Sequence, residues 1–250
     1  MNELGGGSPD EERDDQSLSE ASPGAVADVL GMLAHDLRNP LAALSSNVGF
    51  LGMLETDLGA DAKEAVADLL LSVEALNRIV DSVELLCHDL KGSPPLAAGQ
   101  VPIASVLRTL AEPLQRAAES HGVELELNID SASEVAVMAS ASFLGRALAG
   151  LIQNGITVSP QRSTVRLGVS VQQGAAHFQL RDQGPPLSPD LADAAFSATG
   201  QNRIKSELGA RYSRGLGLYA VARAAEMAGA RLRRSECDEG SLLEIVVPLA

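Results

Sequence analysis

His35-Asp36-Leu37-Arg38-Asn39-Pro40-Leu41 lies inside a longer run in which Leu30, Leu33, Leu37, Leu41, Leu44, Val48, Leu51 and Leu54 recur at spacings of three and four. Such spacing makes one apolar stripe on an amphipathic, coiled-coil-like helix. His35 stands two residues from both Leu33 and Leu37. At about 100° per residue, this turns its imidazole to the face opposite the stripe, into water. Pro40 has no N–H, so the Asp36 carbonyl lacks its helical partner and a bend is expected there. An exposed imidazole beside a carboxylate, with a helix-bending proline one turn on, is unusual for a purely structural helix.

A second stripe follows: Val66, Leu69, Val73, Leu76, Ile79, Val83, Leu86 and Leu90. The short connection around residues 56–60 predicts an antiparallel helical hairpin. Two stripes of this length cannot both be buried within one hairpin, so pairing with a second copy into a dimeric four-helix bundle is expected. Gly92-Ser93-Pro94-Pro95 then breaks the helical pattern. Beyond it, helical periodicity over 141–157 and from Leu218 to Gly229 alternates with strand-like runs at 123–129, 165–171, 176–181, 231–234 and 242–247. That mixture predicts an α+β chain: the hairpin, then a two-layer α/β sandwich on a largely antiparallel or mixed sheet. The expected divisions are a flexible acidic tail at 1–23, the hairpin at 24–92, a linker at 93–100 and the α/β domain at 101–250.

With 250 residues and 45% hydrophobic content, the chain has material for real cores. No apolar run is long enough for a membrane span and no secretory leader is recognisable, so a cytoplasmic protein with no membrane partner is expected. Cys87 and Cys237 lie far apart, outside any metal-ligand spacing, and read as reduced and structural. A net charge of −14 argues against nucleic acid, which needs a basic footprint. Seven acids against Arg13, with Gly5-Gly6-Gly7, mark residues 1–23 as a solvated tail. His88, His121 and His177 show no metal or triad spacing and read as structural.

The heptapeptide resembles the phosphoacceptor box of the two-component sensor histidine kinases, and the order of the remaining motifs extends that resemblance over residues 25–250. Leu151-Ile152-Gln153-Asn154-Gly155 resembles the asparagine box, Asp182-Gln183-Gly184 the first glycine box and Gly215-Leu216-Gly217-Leu218 the second. Phe196 and Gly240-Ser241 resemble the smaller boxes more weakly. The resemblance implies a HisKA-type dimerisation hairpin followed by a GHKL-type ATP-binding domain. It implies that His35 takes the γ-phosphoryl group of ATP and passes it to an aspartate of a response regulator receiver domain. Asp36 would accept a hydrogen bond from the imidazole or act as base, and Asn39 would orient water for dephosphorylating the partner. Asn154 would hold Mg²⁺ against the phosphates, while Asp182, Gly184, Gly215 and Gly217 would bind ATP. Arg203, Lys205, Arg211 and Arg214 suit a lid over an anionic ligand.

The departures cluster at the nucleotide site. Gly150 stands where the family usually has another asparagine, Thr157 and Val158 where it often has a basic and an aromatic residue, and Pro186 where the first glycine box has its second glycine. They leave open an alternative of another class: a histidine phosphotransferase or pseudokinase scaffold whose second domain does not use ATP. No input domain is visible ahead of the first helix, so signals are expected from a separate sensor protein.

Overall fold

The computed structural model describes residues 23–53, 59–91, 98–128, 134–185, 194–197, 215–235 and 241–250. The acidic tail up to residue 22, the linker motif at 92–95, the basic segment 201–214, Pro186, Cys237 and Gly240 lie outside the described residues. The first two helices are α1 (Pro23–Met53) and α2 (Ala60–Leu90), packed as a hairpin, and α1 runs unbroken through Pro40. Their seam is a seven-residue repeat: Ala27, Ala34, Leu41 and Val48 are buried on α1, with Val66, Val73, Val80 and Cys87 on α2. A repeat of seven keeps one seam turned to a partner helix. Arg38 fixes the register, donating from Nε to Glu84 (3.1 Å) and from Nη2 to Asp81 (3.1 Å).

The leucine stripe on α1 therefore divides. Leu41 packs with Ala34 and Val80 inside the hairpin, while Leu33 and Leu37 are 54% and 53% exposed. Leu30, Leu44 and Leu51 share that open surface, as do Leu69 and Leu76 of α2.

The second unit contains β1 (Gly99–Pro102), α3 (Ile103–Ser120), β2 (Glu124–Asn128), β3 (Ala136–Ala139), α4 (Ala141–Val158), β4 (Thr164–Gln172), β5 (Ala175–Asp182), α5 (Gly215–Met227), β6 (Arg231–Ser235) and β7 (Ser241–Pro248). The main sheet has order β2-β4-β5-β7-β6; β2 and β4 are parallel and the other pairs antiparallel. β1 and β3 form a separate antiparallel pair, with β1 starting at Gly99 inside the stretch read as linker. Helices cover one face of the main sheet, giving the expected mixed two-layer sandwich.

Side-chain alternation positions the site. Ala176, Phe178 and Leu180 of β5 point into the core, and period two carries Asp182 onto the same face at the strand's end. α4 lays Phe143, Leu144, Ala147, Leu148, Leu151, Ile152 and Ile156 on that core. Gly155 lets α4 press close to β5, since a Cβ there would lie 2.8 Å from Leu180 Cδ2 and 3.5 Å from Asp182 Cβ. On the opposite face of the sheet, Glu244 is enclosed by His177 Nδ1 (2.9 Å), Gln179 Nε2 (3.0 Å) and Arg233. Burial pushes this carboxyl up, but the hydrogen bonds from Arg233, His177 and Gln179 outweigh it and hold Glu244 below its ordinary value.

α2 also docks on α5. Asp89 accepts hydrogen bonds from Arg223, one from Nε at 3.0 Å. The His88 ring meets Phe143 of α4 edge-on, with centroids 5.4 Å apart, and its buried Nδ1 has no hydrogen-bond partner among the described residues. Leu85 joins the core of the second unit.

Candidate functional site: a phosphoacceptor hairpin and a nucleotide cradle

His35 projects from α1 with its side chain 78% exposed. Its only described polar neighbour is Asp36, with Nδ1 3.6 Å from Oδ1. That is an ion-pair distance and lies beyond hydrogen-bond reach. Nδ1 thus faces the carboxylate and Nε2 is left to solvent. Asn39, one turn further on, is also exposed.

The other motif residues gather at the end of α4. Asn154 and Gly217 meet, with the amide Oδ1 3.6 Å from the position a Cβ at Gly217 would take. Gly215 opens α5, three residues earlier than the sequence pattern indicated. Asp182 and Gly184 form a second cluster beyond Gly155: the Gly184 N–H donates to Asp182 Oδ1 at 2.9 Å. Asp182 is 3% exposed, and its Oδ2 takes no hydrogen bond among the described residues. Burial raises its pKa above the ordinary aspartate value, with the Gly184 N–H partly opposing this. A buried carboxylate with one free oxygen is suited to receive an amino N–H. Asn154 offers a neutral hard oxygen of the kind a phosphate-bound Mg²⁺ takes. Among the described residues, no group of three or more His, Cys, Asp or Glu side chains is placed to hold a metal by itself.

The departures from the family pattern have local packing reasons. Val158 leans on Gly184, where a Cβ would come within 2.5 Å of Val158 Cγ2. A Cβ at Gly150 would come within 2.8 Å of Val221 Cγ2, so a side chain there would force α5 away from α4. Thr157 turns its hydroxyl into its own helix, donating to the Gln153 carbonyl at 2.8 Å. Phe196, on a short 3-10 turn (Ala194–Phe196), packs against the core.

A cavity of about 320 Å³ lies over Asn154 and Gly217, walled by α4, α5 and also α2. Two of its lining residues, Arg78 and Arg146, carry cations that sequence reasoning missed. Asp182 and Gly184 do not line it; they sit on the far side of α4's last turn. No described contact joins His35 to this cradle.

An exposed-histidine hairpin ahead of a mixed sandwich with these clusters defines a phosphoacceptor module joined to a GHKL-type ATPase fold. Residues 25–87 match the His Kinase A (phospho-acceptor) domain. Residues 139–250 match the histidine kinase-, DNA gyrase B-, and HSP90-like ATPase family. The chain is 27% identical to sensor protein PfeS of Pseudomonas aeruginosa, over 89% of its own length and 47% of that protein's. It is 30% identical to sensor protein KdpD of Mycobacterium tuberculosis, over 68% of its length and 20% of that protein's. It resembles full-length ShkA in complex with AMPPNP with a TM-score of 0.59 and 24% identity, covering 90% of this chain and 46% of that one; this likeness concerns the fold. The chain belongs to the two-component sensor histidine kinase family, and it spans less than half the length of these curated relatives. Among the described residues, no helix is long and apolar enough to cross a membrane.

Proposed function

We propose that the chain is a cytoplasmic histidine kinase that phosphorylates His35 from ATP and passes the group to an aspartate of a response regulator. The observation that carries this reading is a freely accessible His35 Nε2, with a carboxylate on the Nδ1 side, in the same chain as a buried Asp182 whose second oxygen is open. As Nε2 forms its bond to phosphorus, Asp36 stabilises the charge growing on the ring through Nδ1–H. The bond from phosphorus to the bridging oxygen breaks and the electron pair leaves with ADP. Phosphoryl transfer asks mainly for positioning and charge neutralisation, so the cradle has little covalent work to do. Asp182 Oδ2 holds the adenine amino group, Gly184 admits the base, and Gly215 and Gly217 let backbone N–H groups of the first turn of α5 approach the phosphates. Asn154 supplies an oxygen to Mg²⁺, which when bound neutralises phosphate charge. Asn39 orients water for hydrolysis of the phosphorylated regulator.

The test is incubation of the purified protein with γ-labelled ATP and Mg²⁺, alongside Asn154→Ala. Acid-labile, base-stable label is expected on the parent and should fall at least about a hundredfold in the variant. The second reading, a phosphotransferase or scaffold without ATP use, draws on Val158 and Val221 occupying space around Gly184 and Gly150. It is favoured if ATP leaves no label while a phosphorylated regulator does.

The open leucine stripe supports a homodimer closed through a four-helix bundle. Each leucine covered contributes about 1 kcal/mol or more. Leu33→Glu with Leu37→Glu is expected to halve the mass measured by light scattering while retaining helical circular dichroism. An unchanged mass would place the dimer contact elsewhere.

A further inference from the structure

We propose that Arg78, carried by the phosphoacceptor hairpin, together with Arg146 of α4 forms a cationic clamp for the terminal phosphates of the nucleotide, so that the hairpin itself completes the binding site. This deepens the function proposed above and rests on it.

The argument begins with helix geometry. Ala75, Arg78, Ser82, Leu85 and Asp89 step along α2 by three and four, which places them on one face. Asp89 of that face is anchored to Arg223 on α5, and Leu85 is embedded in the core of the second unit. Arg78 lies eleven residues before Asp89, about three helical turns, so docking at one end lays Arg78 over the cavity that holds Asn154 and Gly217.

The charges in that cavity are unequal. Asp81, the acid on its wall, is already held by Arg38 at 3.1 Å. Arg78 and Arg146 make no ion pair with any described carboxylate. Arg78 is half-buried; desolvation lowers its pKa, opposed only by the charge of Glu74 one turn away. Guanidinium stays protonated in proteins, so this is a cation partly withdrawn from water with no bonded counter-ion among the described residues. Such a group is costly unless an anion arrives. Among the described arginines, Arg38, Arg116, Arg166, Arg223 and Arg233 each reach a carboxylate, and of the others only Arg78 and Arg146 line this cavity. Arg78 and Arg146 both line the cavity that holds Asn154, Arg146 from an exposed position on α4, and planar guanidinium forks match phosphate oxygens in pairs. Thr157 and Ser82 also line the cavity, but both hydroxyls donate to their own helix, to Gln153 and Arg78 carbonyls at 2.8 Å. The two guanidiniums are therefore its strong phosphate donors.

The test is calorimetric titration of the full chain and of Arg78→Met, Arg78→Lys and Arg146→Met with Mg-ATP, and separately with AMP. Methionine keeps an apolar stem for packing, so the charge is the variable. Each methionine variant is expected to bind ATP about ten- to a hundredfold more weakly and AMP as the parent does. Arg78→Lys should fall between them. A merely structural role would move ATP and AMP together, or lower thermal stability without selectivity. Parent-like ATP binding by Arg78→Met overturns the clamp and leaves the kinase reading intact. If the parent chain itself binds no ATP, both fall.

Discussion

Glutamine at His35 is expected to abolish acid-labile phosphorylation entirely while leaving folding, dimerisation and nucleotide affinity as they were. The side chain is 78% exposed, touches no described hydrophobic cluster and approaches only Asp36, at 3.6 Å. A surface replacement of that kind shifts stability by no more than about 0.5 kcal/mol. The chemical loss is total because no other imidazole combines an open ring with a neighbouring carboxylate. His88 is packed edge-on against Phe143, His121 Nδ1 lies 2.9 Å from the Ala117 carbonyl, and His177 is bound to Glu244. Asp36→Asn should keep a residue of activity, lower by about 10²–10⁴-fold, since a carboxylate that assists the imidazole contributes on that scale. γ-Label incorporation, chased with acid and base, measures both. Parent-level label on the glutamine variant would move the acceptor away from α1 and end the phosphotransfer reading.

Much of this arrangement is legible in residue order, and the exceptions have physical causes. Period two along β5 is enough to bring Asp182 to the core face, and the spacing of Leu33 and Leu37 is enough to turn His35 outward. The same leucine spacing is silent on which stripe residues face the other helix of the hairpin and which a second chain. The intrachain seam depends on Ala27 and Ala34, whose small side chains carry little hydrophobic signal. The start of α5 is hidden because Gly215 and Gly217 have poor helix propensity, yet its packing on α4 makes it helical. β1 and β3 are four residues each, too short for an alternation to register. Arg78 is the least legible: on α2 alone it is one more polar residue of an amphipathic helix. It becomes a site residue only when Asp89 and Arg223 bring a third and fourth helix against it. Val158 opposite Gly184 is similar, because its meaning as a filler of space depends on a loop 26 residues downstream in the numbering.

Asp182→Asn is expected to move stability and nucleotide affinity in opposite directions. Burial raises the folded-state pKa of Asp182 above its ordinary value, so the folded protein binds more protons than the unfolded chain between those two values. Stability of the parent therefore declines as pH rises from the ordinary aspartate pKa through the raised one, and the full cost is present above it. Asparagine carries no charge to bury and keeps an oxygen for the Gly184 N–H. The variant should melt higher than the parent at neutral pH, with the difference shrinking to nothing in acid. Binding should suffer because the amide has only one oxygen. With that oxygen committed to Gly184, its NH₂ occupies the position where Asp182 Oδ2 stands open to an incoming amino group. Donor then meets donor, and ATP affinity is expected to fall at least about a hundredfold. Thermal melts at acid and neutral pH, paired with ATP titration, read both effects on the same samples. A variant that melts lower at neutral pH would mean the carboxylate holds the loop rather than waiting for a ligand. Undiminished ATP affinity would remove Asp182 from the adenine site.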